Sequence, residues 1–266
     1  MRVYIICDLE GTAGVVDFKQ QCAFRGEYYL QARQWATAEL SAAVEGALAG
    51  GATEIVAWDG HGGFPGGLDV GALHSQCELV MGAGDGGPAG LNDTFDAMLL
   101  IGFHGMAGAK NGVLAHSFTP FIETMWLNGE PVGEIGMNIN LAGSWGVPCL
   151  LISGDQAAAE EAQALVPGIE TAVVKRGLRT QQQPCGTVPM LTQTPEAACR
   201  KIRQAAERAM GRLSEIEPFT FEPPYIVRTR YRSPVIKYPA ERPYQTAKID
   251  DYTLEADFGD KLQPLI

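Results

Sequence analysis

Histidine is scarce in this chain, with 4 among 266 residues, so the places where imidazoles fall carry information. Long apolar runs are missing as well. Nothing approaches the ~18 consecutive apolar residues of a membrane span, and the opening Met-Arg-Val-Tyr-Ile-Ile-Cys-Asp turns acidic too soon for a secretory leader. No two of the 6 cysteines form a C-x-x-C pair, and Cys7, Cys77 and Cys149 fall in or beside strand-like runs, as buried free thiols do. Positive charge is in deficit. With 20 Lys and Arg against 31 Asp and Glu, the net charge is −11 and the pI about 4.8, which excludes a nucleic-acid partner because phosphates would be repelled. Repeats and low-complexity tracts are absent too. These absences leave a cytoplasmic globular chain, 46% hydrophobic and 19% charged, long enough for a large core.

What is present reads as alternating strands and helices. Val3–Cys7, Glu54–Trp58, Met98–Phe103, Val147–Ile152 and Thr171–Lys175 are short apolar runs expected as strands buried on both faces. Tyr28–Leu48 has helical spacing and stops at Gly50-Gly51; Ile135–Trp145 and Gln156–Leu165 are further helices, the last with Asp155 as its N-cap. Asn128-Gly129 signals a two-residue hairpin after the strand Ile122–Leu127. Thr194-Pro195 opens a helix to about Leu213, and Gly177–Pro189 is a polar linker or crossover. Pro218–Pro243 is proline-rich but holds a strand, Tyr225–Tyr231, whose Arg228, Arg230 and Arg232 alternate with Val227, Thr229 and Tyr231. Such a row is a solvated face, a subunit contact or a carboxylate-binding edge. The expected fold is α/β, a three-layer αβα arrangement around a mostly parallel sheet with a smaller C-terminal α+β part. The expected division is a metal-binding domain over 1–180 and a smaller region over 181–266 for substrate and subunit contacts.

Chemistry-bearing residues collect where these strands end. Strand Val3–Cys7 delivers Asp8-Leu9-Glu10-Gly11, Glu54–Trp58 delivers Asp59-Gly60-His61-Gly62-Gly63, and Met98–Phe103 delivers His104, with His116 following a glycine-rich loop. Open α/β sheets place ligands at the carboxyl ends of their strands. A phosphate-binding loop fits poorly, since carboxylates stand at Asp8 and Glu10 where glycines would be needed. Two acids held together at a strand mouth instead call for a divalent cation. Asp59 could orient an imidazole or cap a turn, and His74 reads as structural. Glu134 lies in the first turn of its helix, where a carboxylate is also favourable on its own account. Asp8, Glu10, His61, His104 and Glu134 mix imidazole with carboxylate, a donor set suited to Zn²⁺ or a similar ion. Five ligands exceed what one catalytic zinc takes, whereas a two-metal site uses them if one carboxylate bridges; Asp8, nearest its strand, is the natural bridge. His116, outside that set, is free to act as base, acid or nucleophile.

Asp8-Leu9-Glu10-Gly11, Asp59-Gly60-His61, Gly102-Phe103-His104, Ala115-His116-Ser117 and Pro131-Val132-Gly133-Glu134-Ile135-Gly136 occur in the order seen in zinc D-aminopeptidases of the DppA type, peptidase family M55. The resemblance covers roughly Met1–Lys175, includes Ser153-Gly154-Asp155, and is lost after about Gln181. It implies a dinuclear zinc centre held by Asp8, Glu10, His61, His104 and Glu134 with Asp8 bridging. It further implies His116 as catalytic nucleophile or base, small peptide substrates with an N-terminal D-residue, and a homodecamer of two stacked five-membered rings. Two other readings exist. Asp8-Leu9-Glu10-Gly11-Thr12 also resembles the opening of haloacid-dehalogenase-type phosphatases with Asp8 as nucleophile, although Ala159 stands where a later acid belongs and the histidines are then idle. A non-catalytic ring-forming binding protein would leave a cluster of buried ligand-type side chains uncompensated.

Overall fold

The apolar runs become the strands of one sheet because each is buried along nearly its whole length. In a computed structural model, described over residues 1–62, 66–82, 87–236 and 245–262, twelve strands and four α-helices were found. Strands are β1 Arg2–Cys7, β2 Glu54–Asp59, β3 Glu78–Val80, β4 Ala97–Phe103, β5 Ile122–Leu127, β6 Glu130–Pro131, β7 Cys149–Asp155, β8 Glu170–Gly177, β9 Met190–Thr192, β10 Ile226–Tyr231, β11 Gln245–Lys248 and β12 Thr253–Asp257. Helices are α1 Tyr29–Ala49, α2 Glu134–Ser144, α3 Gln156–Leu165 and α4 Pro195–Met210. Gly63, the middle of the Gly82–Asn92 loop and the end of the Pro218–Pro243 stretch lie outside the described residues.

The seven-stranded sheet has the order β3-β2-β1-β4-β7-β8-β9, parallel except for β9, which runs antiparallel to β8. Helices α1 and α4 pack on one another and α2 packs on α3, each pair also lying against strands of the sheet. The strand order reverses between β1 and β4. A doubly wound sheet opens a crevice at such a reversal, and here Asp8 and His104 stand on its two lips. β4 is buried at all seven positions, which is why its sequence shows no polar alternation. A second, antiparallel sheet has the order β11-β12-β10-β5-β6 and its own small core, including Met125, Leu127, Val132 and Val227.

Several local signals act as the sequence implies. Asn128 and Gly129 take φ of 53° and 88°, closing the β5–β6 hairpin with both central residues left-handed. Asp155 Oδ1 accepts from Ala158 N at 2.8 Å, and Thr194 caps α4 with Pro195 in its first turn. Other elements differ from expectation. Gly177–Pro189 is a linker, as one of its two readings has it, but it leads into β9, which was unforeseen, as were the π-helical turn Phe18–Cys22, β11 and β12. Arg228 pairs with Glu255 at 2.6 Å and Arg230 with Glu123 at 3.0 Å, so both guanidinium groups are occupied by the small sheet's own acids.

The crevice depends on a close approach between β1 and β4. Register along β4 and β7 shifts between Leu100 and Phe103, a bulge at which Gly102 takes φ +74°. Its carbonyl accepts from Gly11 N at 2.7 Å, and a Cβ added there would lie 2.2 Å from the Asp8 carbonyl oxygen. Gly102→Ala is therefore expected to destabilise the protein by at least about 2 kcal/mol, from left-handed strain and the displaced strand end. An unchanged urea midpoint would overturn this account of the bulge.

Candidate metal centre

Each site residue is aimed by the end of a regular element. Asp8 and Glu10 leave β1, His61 leaves β2, His104 leaves β4, and Glu134 opens α2. Asp8, Glu10, His104 and His116 are buried; His61 and Glu134 keep slight exposure. Asp8 N donates to Ile101 O at 2.8 Å, fixing the strand end, and Glu134 Oε1 accepts from Phe118 N at 2.6 Å.

The side chains converge. His61 Nδ1 lies 2.9 Å from Glu10 Oε2 and 3.5 Å from Asp8 Oδ1; His104 Nε2 lies 3.3 Å from Asp8 Oδ2 and 3.7 Å from Glu134 Oε1. Ligand atoms of Asp8, Glu10 and His104 fall within 4.8 Å of one another, as do those of His104, His116 and Glu134. All five residues singled out as candidate ligands meet in one place. His116 stacks on His104 with ring centres 4.1 Å apart, and its Nε2 is 3.9 Å from Glu134 Oε1.

Backbone carbonyls fix which nitrogen of each imidazole faces inward. His104 Nδ1 is 3.0 Å from Gly105 O, His116 Nδ1 is 2.9 Å from Leu114 O, and His61 Nε2 is 2.8 Å from Cys22 O. A carbonyl only accepts, so the proton of each neutral ring sits on that nitrogen and the other lone pair turns to the carboxylates. Metal-binding imidazoles are held in this way. Asp8 Oδ2, buried, accepts no hydrogen bond, an arrangement that is costly unless a cation approaches. On both counts the residues fit one or more divalent ions.

Without such ions the centre gathers protons. Burial opposes charging either histidine, yet Glu10 and Asp8 hold His61 well above its ordinary value, and Glu134 and Asp8 push His104 up to about 10. Burial would raise Asp8, but the imidazoles of His104 and His61 facing its two oxygens keep it well below the usual carboxylate range. Burial raises Glu134.

Supporting residues complete the picture, several of them invisible in the sequence. The turn Phe18–Cys22 supplies the Cys22 carbonyl to His61 and sets Phe18 edge-on to His116, with ring centres 5.8 Å apart. Its cap Asp17 was the one local signal, through Oδ1 accepting from Gln20 N. Asp59 takes the turn role, accepting from Gly67 N at 2.9 Å and Leu68 N at 3.2 Å. His74 Nδ1 accepts from Gln76 N, away from the centre. Beside the carboxylates opens a cavity of about 140 Å³, walled by Ile6, Trp58, Phe103, Phe118 and Asn138.

Compared with known proteins, residues 1–263 match the model of the M55 peptidases, described as D-aminopeptidase. That match runs past Gln181, where the motif resemblance stops, and so takes in β9, α4 and the strands of the small sheet. A D-aminopeptidase of Bacillus subtilis (strain 168) is 31% identical over 224 residues, 83% of this chain and 77% of that one. A solved structure, the "Zn-dependent D-aminopeptidase DppA from Bacillus subtilis, a self-compartmentalizing protease", superposes with a TM-score of 0.83 at 26% identity, over 97% of this chain and 92% of that one. Neither the phosphatase reading of Asp8 nor the non-catalytic reading is favoured by these relatives or by imidazoles facing both oxygens of that carboxylate. Among the described residues no helix is long and apolar enough to cross a membrane.

Behind the acidic loop lies Glu39 of α1, 1% exposed, whose Oε1 accepts from Ala13 N at 2.8 Å. Burial pushes its carboxyl up to about 7, against that hydrogen bond and the charge of Lys175. Between its ordinary 4.5 and 7 only the folded chain keeps the proton, so stability falls as pH rises through this window and levels off above it. Glu39→Gln keeps an acceptor for Ala13 and cannot ionise. It is expected to gain about 3 kcal/mol on the parent between pH 4 and pH 8. Urea unfolding of chelator-treated protein at both pH values checks this, and parallel curves would refute it.

Proposed function

The chain belongs to peptidase family M55, the D-aminopeptidases, and we propose that it hydrolyses short peptides bearing an N-terminal D-residue with a pair of zinc ions. Asp8, Glu10, His61, His104 and Glu134 are the proposed ligands and Asp8 the bridge. The observation that carries this reading is that Asp8 presents Oδ1 to His61 and Oδ2 to His104. One carboxylate so shared divides the ligands into two sets, Glu10 with His61 and His104 with Glu134.

When bound, the cations supply Lewis acidity toward the scissile carbonyl and a water acidic enough to attack near neutral pH. His116 takes and returns the proton. Its Nδ1–H is anchored to Leu114 O, so Nε2 is the basic atom, and stacking on His104 holds that atom beside the proposed ligands, 3.9 Å from Glu134 Oε1. Trp58, Phe103 and Phe118 exclude water beside it, and a cavity of about 140 Å³ takes a small side chain such as that of alanine. The region over 181–266 supplies substrate and subunit contacts in a homodecamer; the description of the DppA relative as self-compartmentalizing supports a closed assembly. Six free cysteines support a cytoplasmic setting.

Protein purified without added metal is expected to carry about two zinc ions per chain and to cleave D-Ala-D-Ala in preference to L-Ala-L-Ala. One magnesium, or no metal, would sink the reading. His116→Ala is expected to lose at least ~100-fold in turnover with zinc content unchanged. Loss of zinc in that variant would make His116 a ligand instead.

A further inference from the structure

The loop from Asp8 to Val15 leaves β1 with Asp8 N and Gly11 N bonded to carbonyls of β4, and side chains from other elements satisfy much of the rest of its main chain. Lys175 of β8 is 2% exposed, and its Nζ donates to the carbonyl oxygens of Glu10, of Thr12 at 3.0 Å and of Val15 at 2.7 Å. An ammonium has three donors, and all three close on this one loop. From α1, Glu39 takes the Ala13 N–H, and from β9, Thr192 Oγ1 takes that of Gly14 at 2.9 Å. Lys175 is the only lysine or arginine among the buried described residues.

Burying an ammonium costs several kcal/mol unless good partners compensate, so its placement here calls for a role. With the Glu10 carbonyl drawn back to Nζ, the Glu10 side chain projects forward to His61 Nδ1 at 2.9 Å. The opposite half of the centre is built differently. His104 is set by the β4 bulge, where Gly102 N donates to Ser153 Oγ at 3.1 Å, and Glu134 by the start of α2 and Phe118 N. Asp8 is held by β4 through Ile101 O. Lys175 touches none of these.

We propose that Lys175 is a positioning residue for one half of the centre: it fixes Glu10, and with it the cation shared with His61, and leaves the His104–Glu134 half independent. The inference rests on the two-cation reading above. Lys175→Met keeps the length of the side chain and removes its donors. Zinc titration against a chromophoric chelator is expected to show one site unchanged and the other weakened at least ~10-fold, the scale of a lost supporting contact. Glu10→Ala should give the same single-site signature, and the absorption of the Co²⁺-loaded variant should fall to that of one ion. Lys175→Arg retains charge with a bulkier head, and is expected to weaken the same site alone by a smaller factor. That variant decides the matter if circular dichroism shows Lys175→Met to be unfolded. Two undiminished sites, or equal weakening of both in a folded variant, would overturn the proposal and leave the peptidase reading standing. A parent chain that binds fewer than two zinc ions would overturn both.

Discussion

Asp8 is the residue on which the site turns, because its two carboxylate oxygens are addressed by imidazoles from opposite sides of the sheet reversal. His61 arrives from β2, on the outer flank of β1, and His104 from β4, on the other flank. No local motif could bring them together; only the parallel register of three adjacent strands does, with Cys7 opposite both Asp59 and Ile101. The sheet is a ruler that sets the spacing of the acids and imidazoles. The carbonyls of Gly105, Leu114 and Cys22 then set their rotation.

Such a centre conflicts with the hydrophobic core beneath it. Asp8, Glu10, Glu39, Asp59 and Asp155 are all buried, and Lys175 is their buried basic counterpart among the described residues. Much of the compensation comes from main-chain amides: Leu9 N to Asp8, Ala13 N to Glu39, Gly67 N to Asp59 and Val113 N to Asp155. Amides that point into the layer beneath the crevice neutralise acids there without adding charge. Protons on His61 and His104 do the rest when no metal is bound.

The sequence discloses what is local and periodic. β1, β4 and α1 are long apolar or helical patterns, and Asp155, Thr194-Pro195 and Asn128-Gly129 are signals whose mechanism lies within a few residues. The candidate ligands were legible for a related reason, since each directly follows a strand or opens a helix. What stayed hidden depends on pairing at a distance. β9 spans three residues, too few to show a period, and β11 and β12 become strands only against β10. Lys175 at the end of an apolar run looks like a side chain reaching for water. Its burial arises from a loop some 160 positions earlier in the chain, to which it donates. Glu39 sits within a helix whose one other acid, Glu45, is exposed, and nothing nearby marks it as different.

The small sheet is assembled from two remote parts of the chain, β5–β6 from the middle and β10–β12 from the end. As the polypeptide leaves the ribosome, β1, β2, β4 and β7 can already line up, yet the hairpin β5–β6 has no strand to lie against until β10 emerges. Glu134 directly follows that hairpin, across Val132 and Gly133. Packing of the segment that leads into Glu134 is thereby tied to the emergence of β10, late in synthesis.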